Sequence, residues 1–354
     1  MVPVIHEFRK RGHRVILAAD RLPLELLRRE FPSLEWIRFP SPGVWYPRKL
    51  HLILFLILYL PVLAGGMVYE HFKLKKLIKK FNIHLVISDN RYGLWTRKLP
   101  CIIVTHQMML KLPSIVSFLE YPVHLAVRCL VAPFHQCWIP DYPDEPSLSG
   151  DLSHQYPLPF HAAFIGPLSQ FMNRPVGCTQ CEDIEFLAVL SGPEPRRSIL
   201  EKEIIDFFTV HRKTLLLIRG TTRKCTICSL PDNITIADML GTDELYEAFS
   251  RCRYVICRSG YSSVMDLFIL GKQAILIPTP GQTEQGYLSE HLHRQRFFLT
   301  LRNIREELLS ALNEIDQYRP PSTEHRKPFL EKIITRLTGE MEAPQEEQAC
   351  RHTY

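Results

Sequence analysis

The chain has 354 residues and a mass of 41.2 kDa, about twice a typical domain, so one small stapled module is excluded and two domains with full cores are expected. At 46% hydrophobic and 23% charged residues it has the composition of a soluble globular protein, which excludes a disordered chain, a collagen-like repeat and a polytopic membrane protein. The charge is uneven: residues 1–100 carry 18 Lys and Arg against 7 Asp and Glu, and the remainder 25 against 30, so the front suits an anionic partner or a solvated basic face.

Met1–Arg11 reads as an amphipathic helix with no apolar leader core, and the ten cysteines have no regular spacing, so a reducing cytoplasm is expected. Strands follow at 13–18, 34–39, 84–88, 101–104 and 136–139, with helices at 22–30, 69–81 and 114–130. An open parallel sheet normally begins with a strand and a Gly-rich turn ahead of its first helix. Here the helix comes first, so the opening strand and loop of the front domain are read as missing, with a start upstream of Met1 the expected explanation.

Residues 50–69 form a run of 20 without Asp, Glu, Lys or Arg, long enough for a bilayer. The strands on either side should share one sheet, and Pro61, Gly65 and Gly66 interrupt the run. We therefore expect a kinked interfacial or buried helix, with Arg48, Lys49, Lys73, Lys75, Lys76, Lys79 and Lys80 beside it able to meet anionic lipid. An internal helix next to a solvated basic one is the competing reading.

From Ile184 onward strand, turn and helix alternate as in parallel βαβ units. Strands are expected at 184–190, 214–218, 233–237, 254–257 and 274–277, and helices at 196–211, 243–252, 262–270 and 284–294. The Pro-, Ser- and Gly-rich stretch ending near Pro175 marks the boundary. This gives a front domain over 1–170, a second over 171–338 that includes a helix near 324–337 packing back on the front, and a tail over 339–354. Two C-x-x-C pairs, Cys178/Cys181 and Cys225/Cys228, would sit at opposite ends of neighbouring parallel strands, roughly 17–20 Å apart, so a shared zinc site is not expected. The basic front has no helix-turn-helix, RNP or finger pattern, so nucleic acid is not expected either.

Asn233–Met239, Leu245–Phe249, Tyr254–Asp266 with its Cys257-Arg258-Ser259-Gly260 core, Ala274–Pro280 and Glu284-Gln285 occur in the order seen in glycosyltransferase family 28. That family includes the transferase that adds N-acetylglucosamine to a lipid-linked peptidoglycan precursor. The resemblance, over about 184–295, implies an α/β protein of two Rossmann-like domains facing across a cleft (GT-B). It implies a UDP-sugar as substrate, with no metal or other cofactor.

Turns at strand carboxyl ends that open helices are natural diphosphate cradles. Ser191 and Gly192, with Arg196 or Arg197 adding charge, make one; Ser259, Gly260, Ser262 and Ser263 make a second, although a plain turn or simple self-capping would use the same residues. By resemblance Asp266 accepts the ribose hydroxyls, Asp238, Met239 and Leu240 with Arg219 and Gly220 meet the uracil, and Glu284 and Gln285 meet the hexose. Ser289 stands where the family has an asparagine. Inverting transfer needs one base, for which His106 at a strand end is the first candidate and Asp89 the second. The expected activity is transfer of a hexose such as N-acetylglucosamine to an unidentified, lipid-linked or other, acceptor on the inner face of the cell membrane. A non-catalytic donor-binding subunit and a UDP-sugar epimerase are the alternatives.

Overall fold

The computed structural model describes residues 1–40, 52–174, 183–221, 230–321 and 329–342, with the backbone alone at 52–59 and 340–342. The Arg48–Lys49 pair and all four cysteines of the C-x-x-C pairs lie outside the described residues.

The front half opens with α1 (Val2–Lys10), β1 (Ile16–Ala19), α2 (Arg21–Glu30) and β2 (Glu35–Arg38). It continues with α3 (Leu52–Phe81), β3 (Val86–Asp89), β4 (Cys101–Val104), α4 (Glu120–Val131) after a 3-10 turn at Ser114–Leu119, β5 (Gln136–Ile139), α5 (Asp151–His154) and β6 (Ala162–Phe164). Strand β6 and helix α5 were not expected from the sequence, being too short to show a period. All pairings are parallel, and among the described residues the strands form two pieces, β1–β2 and β3–β4–β5–β6. Strands β1 and β3 are unpaired with each other, which is where the usual strand order would put an opening strand.

The back half follows the expected alternation: β7 (Ile184–Val189), α6 (Arg196–His211), β8 (Leu215–Ile218), β9 (Ile234–Ala237), α7 (Thr242–Arg251), β10 (Cys252–Cys257), α8 (Tyr261–Leu270), β11 (Ala274–Leu276) and α9 (Thr283–Arg294). A two-residue β12 (Leu299–Thr300), α10 (Ile304–Ala311) and α11 (Phe329–Glu342) complete it. Its sheet is parallel throughout, in the order β12-β11-β10-β7-β8-β9. Its central strands β7 and β10 are apolar over residues 186–189 and 254–257 because helices cover both faces there. Helix α11 returns to the front as expected: Arg11 donates to the Glu331 carbonyl (3.0 Å) and to Thr335 Oγ1 (2.7 Å), while Leu330, Ile334 and Leu337 join Val4 and Phe8 in one apolar cluster.

Helix α3 departs from expectation. It runs unbroken for 30 residues through Pro61, Gly65 and Gly66, losing one hydrogen bond at the proline while the flanking Leu, Val and Ala remain good helix or core formers. Nor is it internal: Glu70 and Leu74 face the protein, whereas Leu60, Val62, Val68, Tyr69 and Phe72 are exposed.

The halves are joined by the strap after β5. The Asp141 carboxylate is fully buried and accepts from the amides of Tyr142 (2.8 Å), Leu148 (3.0 Å) and Ser149 (2.8 Å), which folds the strap into a tight turn. That turn presses Gly150 (φ 52°) against α9, where a Cβ would lie 2.4 Å from Tyr287 Oη and 2.7 Å from the His291 ring, so only glycine fits. Tyr287 Oη accepts from the Asp151 amide (2.6 Å), and His291 Nε2 meets the Ser147 carbonyl at 3.0 Å.

Trp138 on β5 is the largest fully buried side chain, and its indole donates to Gln136 (2.8 Å). Trp138→Ala should cost about 3–5 kcal/mol, measured as a lower urea midpoint at unchanged slope.

Candidate active site

A cavity of about 240 Å³ lies between the carboxyl ends of β3, β4 and β5 and the first turns of α8, which follows β10. It is lined from the front by Met1, Asp89, Asn90, Thr105 and His106, and from the back by Tyr261, Ser262 and Asp266. The cavity thus brings together both candidate bases and two of the expected donor residues.

On the back wall, α8 begins directly after the turn Arg258-Ser259-Gly260. Gly260 is its N-cap, and the first turn carries no side-chain cap, so its amides keep their positive end open. The self-capping expected of Ser262 and Ser263 does not occur; Ser262 is exposed on the cavity wall. Ser259 is fully buried, and its hydroxyl donates to the Gln285 carbonyl at 2.9 Å. Gln285 in turn accepts the Thr279 amide at 2.9 Å. Both therefore brace the turns rather than face the cavity. Ser289 is buried too, bonded to the Gly286 carbonyl at 3.0 Å.

Helix α6 differs from α8. Ser191 and Gly192 are exposed, and Gly192 has a positive φ of 101°. The Glu194 carboxylate, however, accepts from the Ser198 amide (3.3 Å) and hydroxyl (2.7 Å) and from Arg197 Nε (2.9 Å). Burial opposes its charge, but the Ser198 and Arg197 hydrogen bonds outweigh this and hold its pKa below the ordinary value. The protein's own carboxylate thus occupies the helix end that the sequence offers to phosphate, and Arg196 stays exposed beside it.

The arginines sort in the same way. Arg197 is buried against Glu194 and Glu201 (2.6 Å), and Arg219 bonds Glu201 (2.6 Å) and Asp238 Oδ1 (2.7 Å). This chain of charges fixes the ends of β8 and β9, so Asp238 is oriented through its side chain while Met239 and Leu240 stay half-buried. Gly220 (φ 63°) is required there, since a Cβ would meet the Leu190 carbonyl at 2.2 Å.

Arg258 is the residue the sequence reading quoted within its motif but passed over. It is buried at 4% exposure and donates to the carbonyls of Arg196 (3.1 Å), Ile277 (3.3 Å) and Pro278 (3.1 Å), while its Nε has no partner. Among the described residues it makes no ion pair. Desolvation pulls its pKa down to about 10, so it stays charged at neutral pH. A buried cation, with Glu203 acting on it from a distance, therefore precedes α8 in the chain and ties three turns together. The signal was available as an arginine directly after the run 254–257, where burial is rare without a purpose.

Asp266 lies one turn into α8. Its Oδ1 accepts from Ser169 Oγ (2.7 Å) and the Gln170 amide (3.2 Å), and its Oδ2 from Gln170 Nε2 (2.9 Å). Desolvation raises its pKa to about 6 against the lowering effect of those bonds. His106 crosses the cavity: its ring stacks on Tyr261 at 4.0 Å and 10°, and its Nε2 lies 2.8 Å from Glu284 Oε1. Tyr261 is itself held by its hydroxyl on the Pro140 carbonyl (2.9 Å). Asp89 is exposed at the end of β3 on the cavity rim.

With this geometry in view, residues 220–334 match the glycosyltransferase family 28 C-terminal domain. No curated protein sequence matches the chain. In fold the chain is similar to the glycotransferase of kitacinnamycin, at TM-score 0.59 and 14% identity over 95% of this chain and 94% of that one. It is also similar to MurG of Acinetobacter baumannii, at TM-score 0.53 and 13% identity over 96% and 94%. A third similar structure is the spinosyn rhamnosyltransferase SpnG complexed with thymidine diphosphate, at TM-score 0.56 and 17% identity over 96% and 88%. The fold is that of the GT-B glycosyltransferases, and residues 220–334 of the back half are similar to the family 28 C-terminal domain.

A carboxyl group whose pKa is raised on folding stabilises the fold below its unfolded pKa and loses that contribution as pH climbs through the folded value. For Asp266 the window is pH 4–6, and about 2 kcal/mol is lost across it after allowing for partial exposure. Asp266→Asn should therefore stabilise the ligand-free protein by roughly that amount at pH 7 and hardly at pH 4, as read by denaturant titrations at both values.

Proposed function

We propose that the chain transfers a hexose from a UDP-sugar, with inversion, to an acceptor bound by the front half. The observation that carries this reading is the uncapped α8 N-terminus, backed by the unpaired Arg258 charge and opening on the cavity that holds His106. Developing negative charge on a departing diphosphate is what such a site stabilises. The thymidine diphosphate held by the similar SpnG supports a nucleoside diphosphate as the donor's leaving group.

In this reading the diphosphate lies at α8 before Gly260, Ser262 and Ser263. The ribose hydroxyls donate to Asp266 in place of Ser169 and Gln170, and the uracil meets the backbone of Asp238–Leu240. His106 takes the acceptor proton as the acceptor oxygen bonds the anomeric carbon. The bond from that carbon to the phosphate oxygen breaks, and its electron pair leaves with UDP. Asp89 at the rim is the second candidate base. Positively charged and polar groups do this work without a cofactor.

We further propose that the front half rests on an anionic membrane surface on the cytoplasmic side. The exposed Leu60, Val62, Val68, Tyr69 and Phe72 of α3 are followed by Lys73, Lys75, Lys76, Lys79 and Lys80, and Ile115 and Phe118 before α4 are also exposed. Ser114–Val131 is long and apolar enough to cross a membrane, yet its Val127 and Val131 pack with Leu74 on one face of the front sheet. Helices α3 and α4 thus lie side by side, as suits surface binding rather than crossing.

Isothermal titration with UDP should show binding that Asp266→Asn weakens about ten- to a hundredfold, as expected for lost hydrogen bonds to a charged group. Labelled UDP-N-acetylglucosamine with membrane lipid extract should give a labelled lipid; free sugar alone, or an epimerised UDP-sugar, would count against transfer. Sedimentation with phosphatidylserine vesicles should exceed that with phosphatidylcholine, and Glu at positions 75, 76, 79 and 80 should lower it by about fivefold per charge.

A further inference from the structure

Resting on the inverting-transferase reading, we propose that Glu284 is the positioning residue of the base His106. The resemblance points Glu284 at the hexose; the geometry points it at the imidazole. The two side chains come from opposite walls, His106 from the end of β4 and Glu284 from the first turn of α9, and meet at 2.8 Å. The ring is held flat on Tyr261 at 4.0 Å, and Tyr261 is anchored to Pro140. A carboxylate only accepts, so the proton of a neutral imidazole sits on Nε2 and Nδ1 is left with its lone pair. Two constraints, stacking and the carboxylate, thus fix ring plane and tautomer together.

The chemical consequence follows atom by atom. The acceptor hydroxyl proton goes to Nδ1 as its oxygen attacks the anomeric carbon. The imidazolium so formed is bonded through Nε2–H to the Glu284 carboxylate, and UDP leaves with the bonding pair. A carboxylate that orients an imidazole and stabilises its charged form is worth orders of magnitude in turnover in other hydrolytic and transfer sites. The orienting group and the base thus come from opposite walls of the cleft and meet in the ligand-free protein.

The test uses the full chain with labelled UDP-N-acetylglucosamine and membrane lipid extract, together with histidine 15N spectra at pH 8. We expect Glu284→Ala to lower kcat about a hundredfold with the donor KM within twofold, Glu284→Gln, which removes the charge that stabilises the imidazolium, to lower kcat at least as far, Glu284→Asp to recover part of it, and Glu284→Ala to add nothing once His106→Ala is present. Spectra of the unmodified protein should show His106 protonated at Nε2, and Glu284→Ala should redistribute the tautomers. A tenfold rise in donor KM at constant kcat, multiplicative losses in the double variant, or an Nδ1-protonated ring would overturn the proposal while leaving the transferase reading intact. Absence of any transfer by the unmodified protein would overturn the function and the pair's role with it.

Discussion

Parallel pairing in every sheet is the constraint on which the molecule depends. A parallel strand must be followed by a crossover before its neighbour, so every strand delivers its carboxyl end, with a turn and a helix start, to the same edge. Two such edges facing each other concentrate helix N-termini, positive-φ glycines and polar turns in one cleft. The apolar strand centres, buried on both faces, make that arrangement stiff enough to hold side chains from separate halves at hydrogen-bond distance. The strap after β5 adds the second requirement: a fully buried aspartate folds it so closely that glycine alone fits against α9.

Within the cleft, the distribution of charge decides which groups can act on a ligand. The helix ends of α6 and α8 look alike in sequence, each a Ser-Gly turn ahead of a helix, yet one holds a glutamate of its own chain and the other holds nothing from the described residues. Likewise Arg197 and Arg219 are consumed by Glu194, Glu201 and Asp238, while Arg258 is left with carbonyls alone. A buried cation with dipoles for partners recovers its desolvation only in part, and Arg258 ties the turns after β10 and β11 to the start of α6.

Most of the back half was legible because each of its strands is an apolar run bounded by Gly or Pro and each longer helix has its own period. What escaped were elements too short for periodicity, β6 and β12 at three and two residues, the eight-residue α10, and the joining of the apolar helix and the 69–81 helix into one α3. Among candidate residues, sequence order could place His106, Asp89, Ser262 and Asp266 at strand or helix ends, and these line one cavity. It could not tell that Ser259 bonds the Gln285 carbonyl while the Gln285 side chain takes the Thr279 amide, or that Glu284 reaches a histidine 178 positions away. Those facts depend on how two sheets are seated, which no local pattern encodes.

Asp266 shows why such a cleft is not optimised for stability. A carboxylate desolvated until its pKa reaches about 6 is an energetic burden to the empty protein, only partly relieved by Ser169 and Gln170 from the segment joining the halves. An asparagine or a leucine would pack there at lower cost. The carboxylate makes physical sense if its hydrogen bonds are exchanged for those of a bound hydroxylated ligand. Arg258, which precedes α8 and is buried without an ion pair among the described residues, is a second charge whose desolvation is only partly offset by its carbonyl partners.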